Sequence, residues 1–135
     1  MTEAIARFKP GENISVFAKK TLEAGRFVKI VGVSSLGAYE AEVPAEKANP
    51  NIVFGVTQRS AAETLGAEDQ DRLIECCRPD CVARVMADGE VKIGEEVMVG
   101  SEGKAKKTEK GEGAVGIALS TGKNVFIEVD FRGAA

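Results

Sequence analysis

Residues 110 to 124 read KGEGAVGIALSTGKN, and two phosphate-binding signatures nearly overlap in them. Gly111, Gly113 and Gly116 fit G-x-G-x-x-G, and Gly116 to Lys123 approaches a P-loop. Such glycines hold phosphate only in context: a strand must precede the first one, and a helix must follow the last and offer its N-terminal amides. Here Gly111 follows the charged stretch KAKKTEK, and Gly116 is followed by IAL and then STGKN, which reads as a strand running into a turn. The P-loop spacing also fails, because five residues separate Gly116 from Gly122 where four are required, and Asn124 stands where a magnesium-binding hydroxyl should be. Gly116, matched in the first half by Gly55, is better explained as a strand residue where a bulge or a close backbone approach forbids a side chain. No nucleotide or other cofactor is expected.

Cys76, Cys77 and Cys81 lie in RLIECCRPDCVARV and are the other residues with reactive chemistry. Structural zinc needs four ligands, and the chain has three cysteines and no histidine. A redox centre calls for C-x-x-C at a helix start, which is absent. Buried or half-buried free thiols are the favoured reading; a Cys77–Cys81 disulfide across Arg-Pro-Asp is conceivable. Without histidine there is no Ser-His or Cys-His nucleophile pair, so an enzyme is not expected.

The elements that must position these residues are strands. In the last segment Val125, Ile127, Val129 and Phe131 alternate with Phe126, Glu128, Asp130 and Arg132, the period of a half-buried strand. Further short runs span 14–18, 27–31, 52–56, 73–77, 82–87, 91–93, 97–99 and 115–119. Turn residues separate them, with Asp88-Gly89 the clearest hairpin signal. Ser60 to Leu73 is different: Ser60-Ala61-Ala62-Glu63 fits a capping box, which points to a short helix or an ordered loop. Lys104 to Gly113, of mixed charge, reads as an exposed loop.

An internal repeat underlies the pattern. Val16 to Ile30 aligns on Val85 to Val99 at an offset of 69, matching Val16 with Val85, Ala18 with Ala87, Leu22 with Val91, Gly25 with Gly94, Val28 with Val97 and Ile30 with Val99. Phe54-Gly55-Val56 recurs as Val115-Gly116-Ile117 at an offset of 61. The expected fold is therefore mainly β: a small β-barrel or sandwich-like domain built from two related β units (about 14–56 and 83–117), with at most one or two short helices. Residues 1–10 form an N-terminal arm or a first strand, and residues 11–135 one β domain. At 135 residues a single core is the default.

Composition narrows the partners. Net charge is −3, with one Tyr and no Trp, which argues against nucleic acid. No apolar run is long enough for a membrane helix, and the start lacks the apolar centre of a signal peptide, which implies synthesis in the cytoplasm.

The order of phrases ARFKPGENISVFA, LEAGRFVKIVG, VFGVTQRSA, DRLIEC, VARVMADGEVKIGEEVMVGSEGKA and AVGIALSTGKNVFIEV resembles the capsid decoration, or cement, proteins of tailed bacteriophages. Ser60 to Gln70 and the three cysteines are not parts of that pattern. The resemblance implies a mainly β, often trimeric protein on the outside of an icosahedral head, clamping neighbouring major capsid subunits, with no cofactor and no small-molecule substrate. Thr2, Glu3, Ala4, Ile5, Ala6, Arg7, Phe8 and Lys9 are the candidate capsid-binding residues, as a free strand that could pair with a sheet edge of the shell; the alternative is that they open the domain's own sheet. Phe126, apolar on a polar face, is the candidate trimer contact. Two rival readings remain: a cytosolic β-barrel adaptor that binds a protein by strand addition, and a thiol-dependent enzyme.

Overall fold

The structure, a computed structural model, describes residues 13–18, 20–35, 37–58, 73–109 and 113–133. The strands there are β1 (Asn13–Ala18), β2 (Phe27–Val33), β3 (Tyr39–Glu42), β4 (Gly55–Thr57), β5 (Leu73–Cys77), β6 (Cys81–Met86), β7 (Glu90–Val91), β8 (Glu96–Val99), β9 (Ala105–Lys107), β10 (Gly116–Ala118), β11 (Gly122–Lys123) and β12 (Phe126–Phe131). The chain is mainly β, as the period-two patterns predict. In β1 Ile14, Val16 and Ala18 are buried and Asn13 and Ser15 exposed; in β12 Ile127, Val129 and Phe131 point inward.

Several boundaries differ from the sequence reading. Val125 is exposed ahead of β12 rather than the first inward residue of that strand. The run 52–56 is not one strand: Pro50–Ile52 is a 3-10 turn, begun where the Asn49 side chain accepts from the Asn51 amide, and extended pairing starts at Gly55. The exposed loop expected over 104–113 contains β9, whose Ala105 is fully buried. Strands β3 and β11 are too short and too polar to show periodicity. Residues 60–72 of the Ser60–Leu73 excursion lie outside the described residues, and Leu73 opens β5.

Strand order shows two copies of one plan. β1, β3, β2, β4 and β5 follow one another around a closed barrel. β6, β12, β10, β8 and β9 form a second sheet that curls until its ends touch at one parallel bridge between Ala87 and Ala105, a partly open barrel. Substituting β6 for β1, β8 for β2, β9 for β3, β10 for β4 and β12 for β5 turns one order into the other. Register follows too. Val16 faces Ile74 as Val85 faces Ile127; Val28 faces Gly55 as Val97 faces Gly116; Ile30 faces Ala41 as Val99 faces Ala105. The parallel Ala18–Ala41 pair that helps close the first barrel corresponds to Ala87–Ala105. The 69-residue offset read from the sequence is thus also the offset between equivalent ladder positions in the early strands.

The barrels share a seam. Val16, Ala18, Leu22, Val28, Ala41, Ile74 and Cys76 fill the interior of the first. Phe27, next to Val28, points the other way because alternate residues of a strand face opposite sides. It joins Val53 and Val56 in the core of the second barrel, with its ring centroid 5.8 Å from that of Phe131. Burying such a ring stabilises by about 1.5–3 kcal/mol. Backbone bonds reinforce the seam: the Met86 amide donates to the Gly25 carbonyl at 3.0 Å, and the Lys47 amide to the Val99 carbonyl at 2.9 Å.

Gly55 and Gly116 occupy equivalent places for one reason. A Cβ on Gly116 would lie 2.4 Å from the Asp130 carbonyl oxygen, and one on Gly55 2.6 Å from that of Cys77. The facing strand passes too close for a side chain. Gly116→Ala is therefore expected to cost about 1–3 kcal/mol in urea unfolding followed by circular dichroism, the range of an overpacked core. Ile93→Ser, at an exposed turn residue, is expected to leave the midpoint unchanged.

Candidate interaction surface

The glycine-rich segment is built from strands. Gly111 lies outside the described residues. Gly116 to Ala118 is β10, hydrogen-bonded to β12 on one side and β8 on the other. Residues 119 and 120 bend, and Gly122-Lys123 pairs with β7. Asn124, in the left-handed region at φ 52°, accepts from the Gly89 amide through its side-chain oxygen at 2.8 Å. The segment is strand, turn and strand, and its amides serve the sheet.

The cysteines need a correction. Free thiols were the favoured reading for all three, but Cys77 and Cys81 are joined in a disulfide. Arg78-Pro79-Asp80 reverses the chain between β5 and β6, with Asp80 at φ 71°, and brings the two Cα atoms to 6.7 Å. Cys76 is the free and buried one among the three. Burial pushes its thiol up to about 12, only partly opposed by the nearby Arg78 charge. Among the described residues no group of three His, Cys, Asp or Glu side chains is placed to hold a metal. The Glu95 carboxylate is held below its usual range by a hydrogen bond from Lys107, 2.8 Å away, and the Lys107 ammonium is correspondingly raised; both sit on the surface beside the β8–β9 pair.

A more informative surface lies where the barrels meet. Phe126 is 41% exposed and Val82 61% exposed, both on the outer face of the β6–β12 pair. Phe126 stands beside Gly25: a Cβ there would lie 2.6 Å from its ring, so the first barrel's turn needs glycine both for that contact and for a φ of 69°. The Arg84 guanidinium lies over the Phe126 ring, 5.3 Å from its centroid. A groove of about 390 Å³ opens here, with Gly25, Thr57 and Gln58 on one wall and Val82, Arg84 and Phe126 on the other. Asn13 exchanges two side-chain hydrogen bonds with Gln58, at 2.9 and 3.4 Å.

Phe126 is thus exposed on the outer face, where the alternation put it. The candidate residues Thr2 to Lys9 lie outside the described residues. Val82 and Arg84 were missed, although the signal was present: Val82, like Phe126, is apolar at a position where β6 calls for a polar residue. A second hollow, of about 450 Å³, surrounds Arg78, whose guanidinium stacks 4.1 Å from the Phe54 ring centroid and donates to the Phe54 carbonyl. Tyr39 meets the same ring edge-on at 5.9 Å.

No protein-family profile and no curated protein matches the chain. Among solved structures it is similar to the N base of the head fiber gp8.5 of bacteriophage phi29, with a TM-score of 0.66 and 16% identity over 92% of this chain and 98% of that one. The likeness is one of fold, and it spans both barrels.

Proposed function

We propose that this chain is a structural protein of a tailed-phage virion, attached to the outer surface of the head as a cement or decoration protein and doing no chemistry. One observation carries the reading: its double-barrel fold matches nearly the whole of a phage head-fiber base. The phrase order in the sequence points the same way independently. The exposed groove and its Arg-on-aromatic surface suit adhesion, since Arg and aromatic side chains supply much of the binding energy in interfaces.

Attachment as a homotrimer multiplies modest contacts, because the second and third engagements are intramolecular once the first has formed. Phe126 is the candidate contact between copies, and Thr2 to Lys9 the candidate arm toward the major capsid protein. Pressure from packaged DNA then has to break several contacts before the shell can open.

Heads of the encoding phage assembled without this protein should bind the purified chain in co-sedimentation, and a variant lacking residues 2–8 should bind at least tenfold more weakly, about 1.4 kcal/mol. Full binding by that folded variant excludes the arm. Light scattering of the free protein should return three times the 14.2 kDa chain mass; a monomer at every concentration excludes a stable free trimer.

A thiol enzyme would need an accessible thiolate. Native protein at pH 8 should leave Cys76 unlabelled by a chromogenic disulfide reagent, and denatured, unreduced protein should show one reactive thiol. Between the ordinary thiol value of 9.0 and about 12, only the unfolded chain ionises Cys76, so stability should fall as pH rises through that window. Cys76→Ala should flatten the fall, as read by urea midpoints at pH 8 and pH 10.5.

A further inference from the structure

The backbone of β6 points two ways. The Ala87 amide donates to the Val125 carbonyl, so the odd-numbered residues of this strand bond toward β12. The Met86 amide donates the other way, to Gly25 of the first barrel, and the Arg84 carbonyl lies on that same side, 2.8 Å from where a Gly25 Cβ would be. Val82 and Arg84 therefore direct their amides and carbonyls away from β12, toward the groove. In the first barrel β1 is flanked by β5 and, along Val16 to Ala18, by β3. Its counterpart β6 meets β9 at the single Ala87–Ala105 bridge. Among the described residues no strand lies beside Val82–Arg84, and their amides find no hydrogen-bond partner.

We propose that this edge of β6 is a strand-addition site that takes an extended segment of a shell subunit, bearing an apolar residue with a carboxylate two positions along. The inference rests on the head-surface reading above. A free strand edge selects an extended partner, because only such a chain can pair its own amides and carbonyls in register. The flanking side chains set its pattern. Val82 offers an apolar seat, and two residues along the same strand Arg84 offers a cation that forms no ion pair with any described carboxylate, including Glu128 directly across the ladder. Residues two apart share a strand face, so one incoming segment can lay an apolar side chain on Val82 and its next same-face carboxylate on Arg84.

Proline provides a selective test. At position 82 it removes one outward amide and leaves the bonds toward β12 intact, since edge positions tolerate proline where the amide faces away from the sheet. Val82→Pro and Arg84→Glu should each weaken co-sedimentation with heads lacking this protein at least tenfold and keep the wild-type melting temperature. Val33→Ser, at an exposed apolar residue elsewhere, should bind as wild type. If wild type binds and both folded variants bind equally well, the edge is not the contact and the proposal falls while the head-surface reading stands. Should Val82→Pro fail to fold, Arg84→Glu decides alone. A change in oligomeric mass with unaltered head binding would make the groove a contact between copies and overturn the proposal. Failure of wild type to bind overturns both readings.

Discussion

Phe27 is the residue on which the arrangement turns. It sits on a strand of the first barrel, yet its ring is buried against Phe131 in the core of the second. A strand offers alternate side chains to opposite faces, so β2 supplies Val28 to its own barrel and Phe27 to its neighbour with no extra element. Two small barrels of this size have little interior each, and sharing apolar side chains across a seam is how they reach a common core. Gly25 must then pass close to Phe126 and Arg84, and that closeness walls the groove between the units.

Much of this was legible in the sequence because burial follows period two. Val16, Ala18, Leu22 and Val28 align with Val85, Ala87, Val91 and Val97, and all eight are buried. The need for glycine at 55 and 116 was legible too, since a glycine inside an apolar strand phrase signals a bulge or a close backbone approach, and the facing carbonyls show which. β3 and β9 were missed for a physical reason: Glu40, Glu42 and Lys107 look like loop residues, and only pairing with β2 or β8 makes these segments strands. The disulfide was undervalued because a sequence does not give the 6.7 Å that the Pro79 turn sets between the Cα atoms. The groove was half legible. Phe126 stood out on its own strand, but its neighbour Arg84 and its seat at Gly25 come from distant parts of the chain.

The division of labour follows from the duplication. Inward residues are spent on the two cores and their seam, which leaves the outer faces, the turns and, among the described residues, one edge of β6 on the outside. Cys76 is buried, Cys77 and Cys81 are tied together, and Gly25, Gly55 and Gly116 serve a turn and close strand contacts. What remains outside is a backbone edge, a few apolar side chains and an arginine on an aromatic ring. Those features suit the adhesive role proposed above.

The head-surface role proposed above is tested most directly by a cryo-electron microscopy reconstruction of virions whose genome encodes this chain. The account predicts double-barrel density on the outer surface of the head, in threefold groups, touching neighbouring capsid subunits. A head surface without that density, or the same barrels found only inside the shell, would contradict it.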